Sequence, residues 1–151
     1  PHLASLAKPN SKTETSLNHH MKKYAPAVIV AACFFILDRF LKVWFTQSGE
    51  AVKNYQAAFS LSFGFDILWL AALVIACALV WLIFSLLKKD ALATSALIIL
   101  LLGAGANFYD RLVYGYVIDY LQLPPWLVFN LADLLVVGGA LLLGLQELKK
   151  K

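Results

Sequence analysis

The sequence predicts an all-α membrane protein, a four-transmembrane-helix bundle with a small β platform at the outer face. Of its 151 residues 61% are hydrophobic and 15% are charged, and the mean hydropathy of +0.73 is too high for a soluble domain. Four apolar stretches have helical length, and one short stretch alternates like a strand. The net charge of +4 comes largely from lysines beside apolar stretches, which indicates membrane topology and excludes a nucleic-acid-binding surface.

The elements follow from the order of polar and apolar segments. Residues 1–20 are polar and lack periodicity, so we expect a disordered extension or an engineered remnant. Residues 21–151 then form a single domain. The basic start "MKK" precedes an apolar stretch without a small-residue cleavage site, which favours an uncleaved membrane helix over a signal peptide. The helices are expected at about 24–45, 67–87, 92–107 and 128–148.

The lysines predict the orientation in the membrane. Four spans place both termini on one side, and three lysine clusters share that side: Lys22 and Lys23, Lys88 and Lys89, and Lys149 to Lys151. Because cytoplasmic loops carry an excess of Lys and Arg, both termini should be cytoplasmic. Most acidic residues then fall at or near the outer boundary, where we expect any chemistry: Asp38, Glu50, Asp66, Asp110, Asp119 and Asp133.

The stretch "VKNYQAAFSLSFGFD" between the first two spans has the period of a strand. Apolar residues recur at alternate positions from Ala57 to Phe65, with alanine, serine or glycine between them. Two interpretations stay open. The strand is an aromatic anchor at the membrane interface, or it is a platform that binds an extended peptide through main-chain hydrogen bonds.

Polar residues with helical spacing are interpreted first as structural pairs. Asp38 and Lys42 lie four residues apart on the first helix and are expected to pair and face inward. On the third helix Asn107, Asp110 and Arg111 share a face, and an Asp–Arg pair that closes the span is favoured over direct chemistry.

Asp119 and Asp133 are the candidates for chemistry. Asp119 lies in the apolar context "YVIDYL" and needs a partner. Asp133 opens the last helix, where the helix dipole alone would favour an acid, with Asn130 one turn earlier. Two carboxylates close together at a dry boundary share a proton, so one can deprotonate water while the other protonates a carbonyl oxygen. The membrane domain contains no histidine that would offer a competing nucleophile system.

Four blocks in order, "DRFLK", "NYQAAFS", "GAGANFYDRLVYGYVIDY" and "FNLAD", resemble the signature blocks of lipoprotein signal peptidase (signal peptidase II), a family of four-helix intramembrane aspartyl endopeptidases of the bacterial inner membrane. The resemblance implies that Asp119 and Asp133 form the catalytic dyad. It also implies supporting roles for Asp38, Lys42, Asn54, Asn107, Asp110, Arg111 and Asn130.

The same resemblance implies the substrate and the setting. The enzyme would remove the signal peptide of a bacterial prolipoprotein, cutting before its diacylglyceryl-modified cysteine, without a metal or organic cofactor. Its active site would lie near the periplasmic face. We expect a monomer that contacts membrane lipids and binds no nucleic acid.

The chain departs from the family pattern in two places and in loop length. Gln56 and Ala106 stand where the family usually has glycine, and the outer segments are shorter than usual. These departures leave open a second function, that of a non-catalytic paralogue that binds lipidated peptides or lipids.

Overall fold

The computed structural model describes residues 11–55, 67–88, 90–123 and 127–149. These residues form four helices: α1 (Ser11–Ser48), α2 (Ile67–Leu87), α3 (Ala91–Tyr114) and α4 (Leu131–Lys149). They also form four short strands: β1 (Val52–Asn54), β2 (Val117–Asp119), β3 (Leu121–Leu123) and β4 (Leu127–Phe129). The predicted helical fold with a small β component is confirmed.

Three described helices are long and apolar enough to cross a membrane. The candidate spans are Leu68–Leu87, Ala91–Tyr114 and Leu131–Lys149. The α1 helix is the longest of the four, with 38 residues, but its first third is polar. A span formed by α1, and with it the count of four spans, stays a prediction.

The helix bounds differ from the expectation by three residues or more at four ends: both ends of α1, which runs to Ser48 rather than to 45, the end of α3 and the start of α4. The α1 helix begins at Ser11, so residues 11–20 continue the helix where a disordered extension was expected. The division between an extension and a domain at residue 20 stays a prediction.

The α3 helix is longer than expected because its polar end stays helical. It continues past Asn107 to Tyr114 and stops at Gly115, whose φ of 78° is left-handed and whose N–H donates to the carbonyl of Arg111. The α4 helix starts at Leu131 rather than 128, because residues 127–129 form a strand.

Glycines bring α3 and α4 into direct backbone contact. A Cβ added at Gly103 would lie 2.5 Å from the carbonyl oxygen of Ala132, and one added at Gly139 would lie 2.7 Å from that of Ala96. Only glycine allows this approach, as in other closely packed membrane helices. The start of α4 is therefore held against the middle of α3.

Two antiparallel ribbons lie at the end of the bundle where α3 stops and α4 starts. In the first, β1 pairs with β2, with Val52 opposite Asp119. In the second, β3 pairs with β4, with Leu121 opposite Phe129. Two-stranded ribbons are marginal alone, so their attachment to the helices matters. The strand predicted from Ala57 to Phe65, like Gln56, lies outside the described residues.

Candidate active site

Asp119 is a buried carboxylate at the end of β2. Its side chain is 1% exposed. Asn54 of β1 donates from Nδ2 to one carboxylate oxygen at 2.9 Å, and Asn130 donates from Nδ2 to the other at 2.6 Å. The partner that the sequence required for Asp119 is therefore a pair of amides, one on each side.

Asp133 and Asn130 form a reciprocal cap at the start of α4. The Asn130 side-chain oxygen accepts from the Asp133 backbone N–H at 3.0 Å, and the Asp133 carboxylate accepts from the Asn130 backbone N–H at 3.2 Å. This is the capping-box arrangement with asparagine and aspartate. It confirms that Asn130 hydrogen-bonds beside Asp133, and it makes Asn130 the residue that contacts both Asp119 and Asp133.

Asn107 of α3 holds the other oxygen of Asp133. Its Nδ2 donates to Asp133 at 2.7 Å, while its Oδ1 accepts from Lys42 Nζ at 3.0 Å. Because ammonium is only a donor, Lys42 forces the amide oxygen of Asn107 towards α1. The amide nitrogen is then aimed at Asp133.

A buried ion network lies beneath these contacts. Lys42 Nζ is 3.0 Å from Asp38 and 2.7 Å from Asp110, and its side chain is 2% exposed. Arg39 pairs with the same two carboxylates. The predicted Asp38–Lys42 pair is confirmed. Asp110, for which a pair with Arg111 was favoured, pairs across the bundle with α1, so the network has two acids and two bases.

The remaining predicted residues border the same network. Arg111 donates from Nη1 to the carbonyl of Asn107 at 3.4 Å, and Ala106 is fully buried in α3 with its carbonyl oxygen 3.4 Å from Arg39 Nη2. Alanine at 106 thus continues a regular helix.

Two residues that contribute to this network, Arg39 and Tyr120, were not predicted from the sequence. Arg39 was given no role in the site, although its position next to Asp38 was a signal. Tyr120 follows Asp119 directly, and its hydroxyl contacts both Asp38 and the backbone of α4. Its phenol within the apolar segment "YVIDYL" was the available signal, because a buried hydroxyl requires partners.

The environment of Asp119 favours its protonated form. Burial raises the pKa of the Asp119 carboxyl above its ordinary value of 3.8, and the neighbouring charge of Asp133 adds to that rise, while the amides of Asn54 and Asn130 oppose it. A carboxyl that feels its neighbour's charge titrates together with it.

Among the described residues, no three His, Cys, Asp or Glu side chains are grouped so as to hold a metal ion.

The fold and the site define a helical membrane protein in which a buried aspartate, Asp119, and a half-buried one, Asp133, both contact Asn130 at one end of the bundle. Residues 30–149 match the signal peptidase (SPase) II family. The chain is also similar to the lipoprotein signal peptidase of Dichelobacter nodosus, with 34% identity over 86% of this chain and 97% of that protein. It therefore belongs to the signal peptidase II family, and it is a bacterial membrane protein.

Further similarities agree with this membership. The lipoprotein signal peptidase of Syntrophomonas wolfei is 37% identical over 72% of this chain and 83% of its own length. A bacterial membrane enzyme solved by the in meso method at 2.3 Å resolution has a TM-score of 0.69, with 20% identity over 83% of this chain and 88% of that one. At that identity the solved structure supports the fold alone.

Proposed function

We propose that this protein is an aspartyl endopeptidase that removes the signal peptide from diacylglyceryl-modified prolipoproteins, cutting before the lipidated cysteine. The observation that carries the proposal is the shared contact of Asp119 and Asp133 with Asn130, within a family of signal peptidases. Family membership supports the reaction class, and the geometry supports the choice of these two carboxylates.

The mechanism divides the work between the two acids. One carboxylate removes a proton from a water molecule, which attacks the carbonyl carbon of the scissile bond, while the other acid donates its proton to the carbonyl oxygen. Collapse of the tetrahedral intermediate then breaks the C–N bond, and the amine leaves with a proton from the pair. The raised pKa of Asp119, to which the charge of Asp133 contributes, favours a pair that shares one proton.

The other residues position the pair. Asn54 and Asn130 orient Asp119, and Asn107 orients Asp133. Lys42 acts through Asn107. We assign Asp38, Asp110 and Arg111 supporting roles in the same network.

The setting follows from the spans and the lysines. We propose that the enzyme works as a monomer in the bacterial inner membrane, in contact with lipids, with both termini cytoplasmic and the carboxylates near the periplasmic face. Placing a carboxylate near the interface costs less free energy than placing it at the bilayer centre. The surroundings there still contain little enough water for its pKa to shift.

The test is cleavage of a diacylglyceryl-modified prolipoprotein by the purified protein in detergent. We expect the parent to release the shortened lipoprotein, and we expect Asp119→Asn and Asp133→Asn to lose at least about a thousandfold in rate, because each variant removes one of the two groups that transfer protons. Glu50→Gln is the matched control. Glu50 is an exposed acid just before β1, so its amide variant should cleave like the parent.

Thermal unfolding of each variant separates lost chemistry from lost structure. Retained cleavage by folded Asp133→Asn would refute the dyad. A folded parent that binds the lipidated peptide without cutting it would instead identify the non-catalytic paralogue.

A further inference from the structure

Tyr120 connects three elements at one hydroxyl group. Its ring is 7% exposed and stacks on Phe45 of α1, with ring centroids 5.3 Å apart and an interplanar angle of 14°. The hydroxyl donates to Asp38 Oδ1 at 2.9 Å and accepts from the Leu131 backbone N–H at 3.1 Å. A phenol has one proton to donate, so the direction of both bonds is determined.

These hydrogen bonds help to satisfy the free backbone N–H groups at the start of α4. The first N–H groups of a helix have no partner within the helix. Here the Leu131 N–H donates to Tyr120, the Ala132 N–H donates to Asp38 Oδ1 at 3.2 Å, and the Asp133 N–H donates to Asn130. Side chains from α1, from the residue after β2 and from the cap itself therefore bind three consecutive N–H groups in the first turn of α4.

Tyr120 also links the two segments of backbone that carry Asp119 and Asp133. Tyr120 is bonded to Asp119 along the chain, and its own backbone N–H donates to the carbonyl of Phe129 at 3.1 Å. Its hydroxyl accepts a hydrogen bond from the backbone N–H of Leu131, two residues before Asp133. Movement of β2 relative to α4 would therefore strain this hydroxyl contact.

We propose that Tyr120 is a positioning residue that sets the separation of Asp119 and Asp133 by tying the strand of one to the helix start of the other. The inference rests on the proposed function of the two acids. In the described hydrogen bonds, the side chain of Tyr120 contacts neither Asp119 nor Asp133. Tyr120 therefore acts through the backbone of α4. Burial raises the pKa of the Tyr120 hydroxyl, so the hydroxyl stays a donor to Asp38 throughout the working pH range.

The first variant is Tyr120→Phe, which keeps the stacked ring and removes both hydrogen bonds. We expect kcat to fall by about tenfold, the equivalent of about one to two neutral hydrogen bonds, with KM within about twofold of the parent. The pH profile of kcat should also change, because the coupling of the two acids depends on their separation. Tyr109→Phe is the control, since Tyr109 contacts Arg39 through its ring face, which phenylalanine preserves.

A second variant removes the other partner of the hydrogen bond between Tyr120 and Leu131. Leu131→Pro deletes the N–H that Tyr120 accepts, at the first helical position, where proline is well tolerated. We expect a fall in kcat in the same direction. Because both changes remove the same hydrogen bond, the double variant should lose less rate than the product of the two single losses, so the two changes should be non-additive.

Amide exchange of residues 130–133, measured by mass spectrometry, provides a readout that does not depend on cleavage. We expect Tyr120→Phe to speed exchange there and to leave the rest of α4 unchanged. Faster exchange in a protein whose parent does not cleave supports the connection and refutes the proposed function. Unchanged exchange with an active parent refutes the inference and leaves the proposed function standing. An unchanged kcat, or a loss of kcat explained by a lower melting temperature, also refutes it.

Discussion

At the scale of single residues, the site depends on asparagine amides that face carboxylates. Asn130 donates its Nδ2 to Asp119 and accepts the Asp133 N–H at its Oδ1. Aspartate at position 130 would keep the cap but lose the donor, and serine would be too short to reach both. Asparagine is the side chain that combines a donor and an acceptor at this length.

Lys42 provides the sharpest stability prediction at this scale. Lys42→Met keeps the length of the side chain and removes a buried cation from between Asp38 and Asp110. Removal of one partner leaves charge uncompensated in the interior, so we expect a loss of about 3–5 kcal/mol in the free energy of unfolding. Unfolding in mixed detergent micelles measures it.

The control for Lys42 is Lys88→Met, at an exposed lysine after α2. We expect a change within about 0.5 kcal/mol, as for other surface substitutions. Equal stability of the two variants would show that the ion network contributes nothing to folding. Cleavage by Lys42→Met should fall as well, because Asn107 would no longer be held in one orientation.

At the scale of elements, the contact between α3 and α4 decides where Asp133 lies. The α3 helix carries Asn107 and Asp110, and α4 carries Asp133 in its first turn. Gly103 faces the carbonyl of Ala132, so one of the close approaches between the two helices is one residue from the candidate acid. The spacing of these helices is therefore part of the site.

Gly103→Ala tests this contact. The added methyl group would meet backbone, which does not yield as a flexible side chain does, so we expect a loss of about 1–3 kcal/mol in stability and a lower kcat. Gly105→Ala, two residues away on the same helix, places its methyl in open space. It should leave stability unchanged or raise it by about 0.5–1 kcal/mol, because alanine favours helix over glycine.

Thermal unfolding and cleavage by the two glycine variants are compared side by side. If Gly103→Ala were as stable and active as Gly105→Ala, close approach of α3 and α4 would not be needed for the site.

At the scale of the whole molecule, polar contacts gather at both ends of the bundle. One end holds the carboxylates and the two ribbons. At the other end the Ser85 hydroxyl lies 2.9 Å from that of Thr94, and Asp90 caps α3 and accepts from Gln146 of α4. Between them the described core is small and apolar. This distribution suits a chain whose middle lies in hydrocarbon, where polar groups must find partners within the protein.

The orientation in the membrane is predicted from the lysines and can be tested by labelling. In a variant with Cys33 and Cys77 replaced by serine, we expect a membrane-impermeant maleimide to label Glu50→Cys in intact spheroplasts. Lys88→Cys should react only after permeabilisation, because the lysine clusters are expected in the cytoplasm. The reverse pattern would place the carboxylates on the cytoplasmic side and overturn the proposed topology.

What the sequence by itself determined is local. Continuous apolar stretches predicted α2 with its observed bounds, and the four-residue spacing of Asp38 and Lys42 predicted their ion pair. Asn130 and Asp133 are three residues apart, so their cap also follows from helix geometry. The end of α3 was placed too early, because Asn107 and Asp110 look like the end of a span until partners for them are known.

Only the tertiary structure decided which distant groups meet. Asp119 lies between Asn54 and Asn130, Asp110 pairs with α1, and the Tyr120 hydroxyl joins Asp38 to α4. Periodicity shows which face of a helix is polar, but not which helix it will face. That choice depends on backbone approach at Gly103 and on ribbons that are stable only when docked, and both arise from packing between elements far apart in the chain.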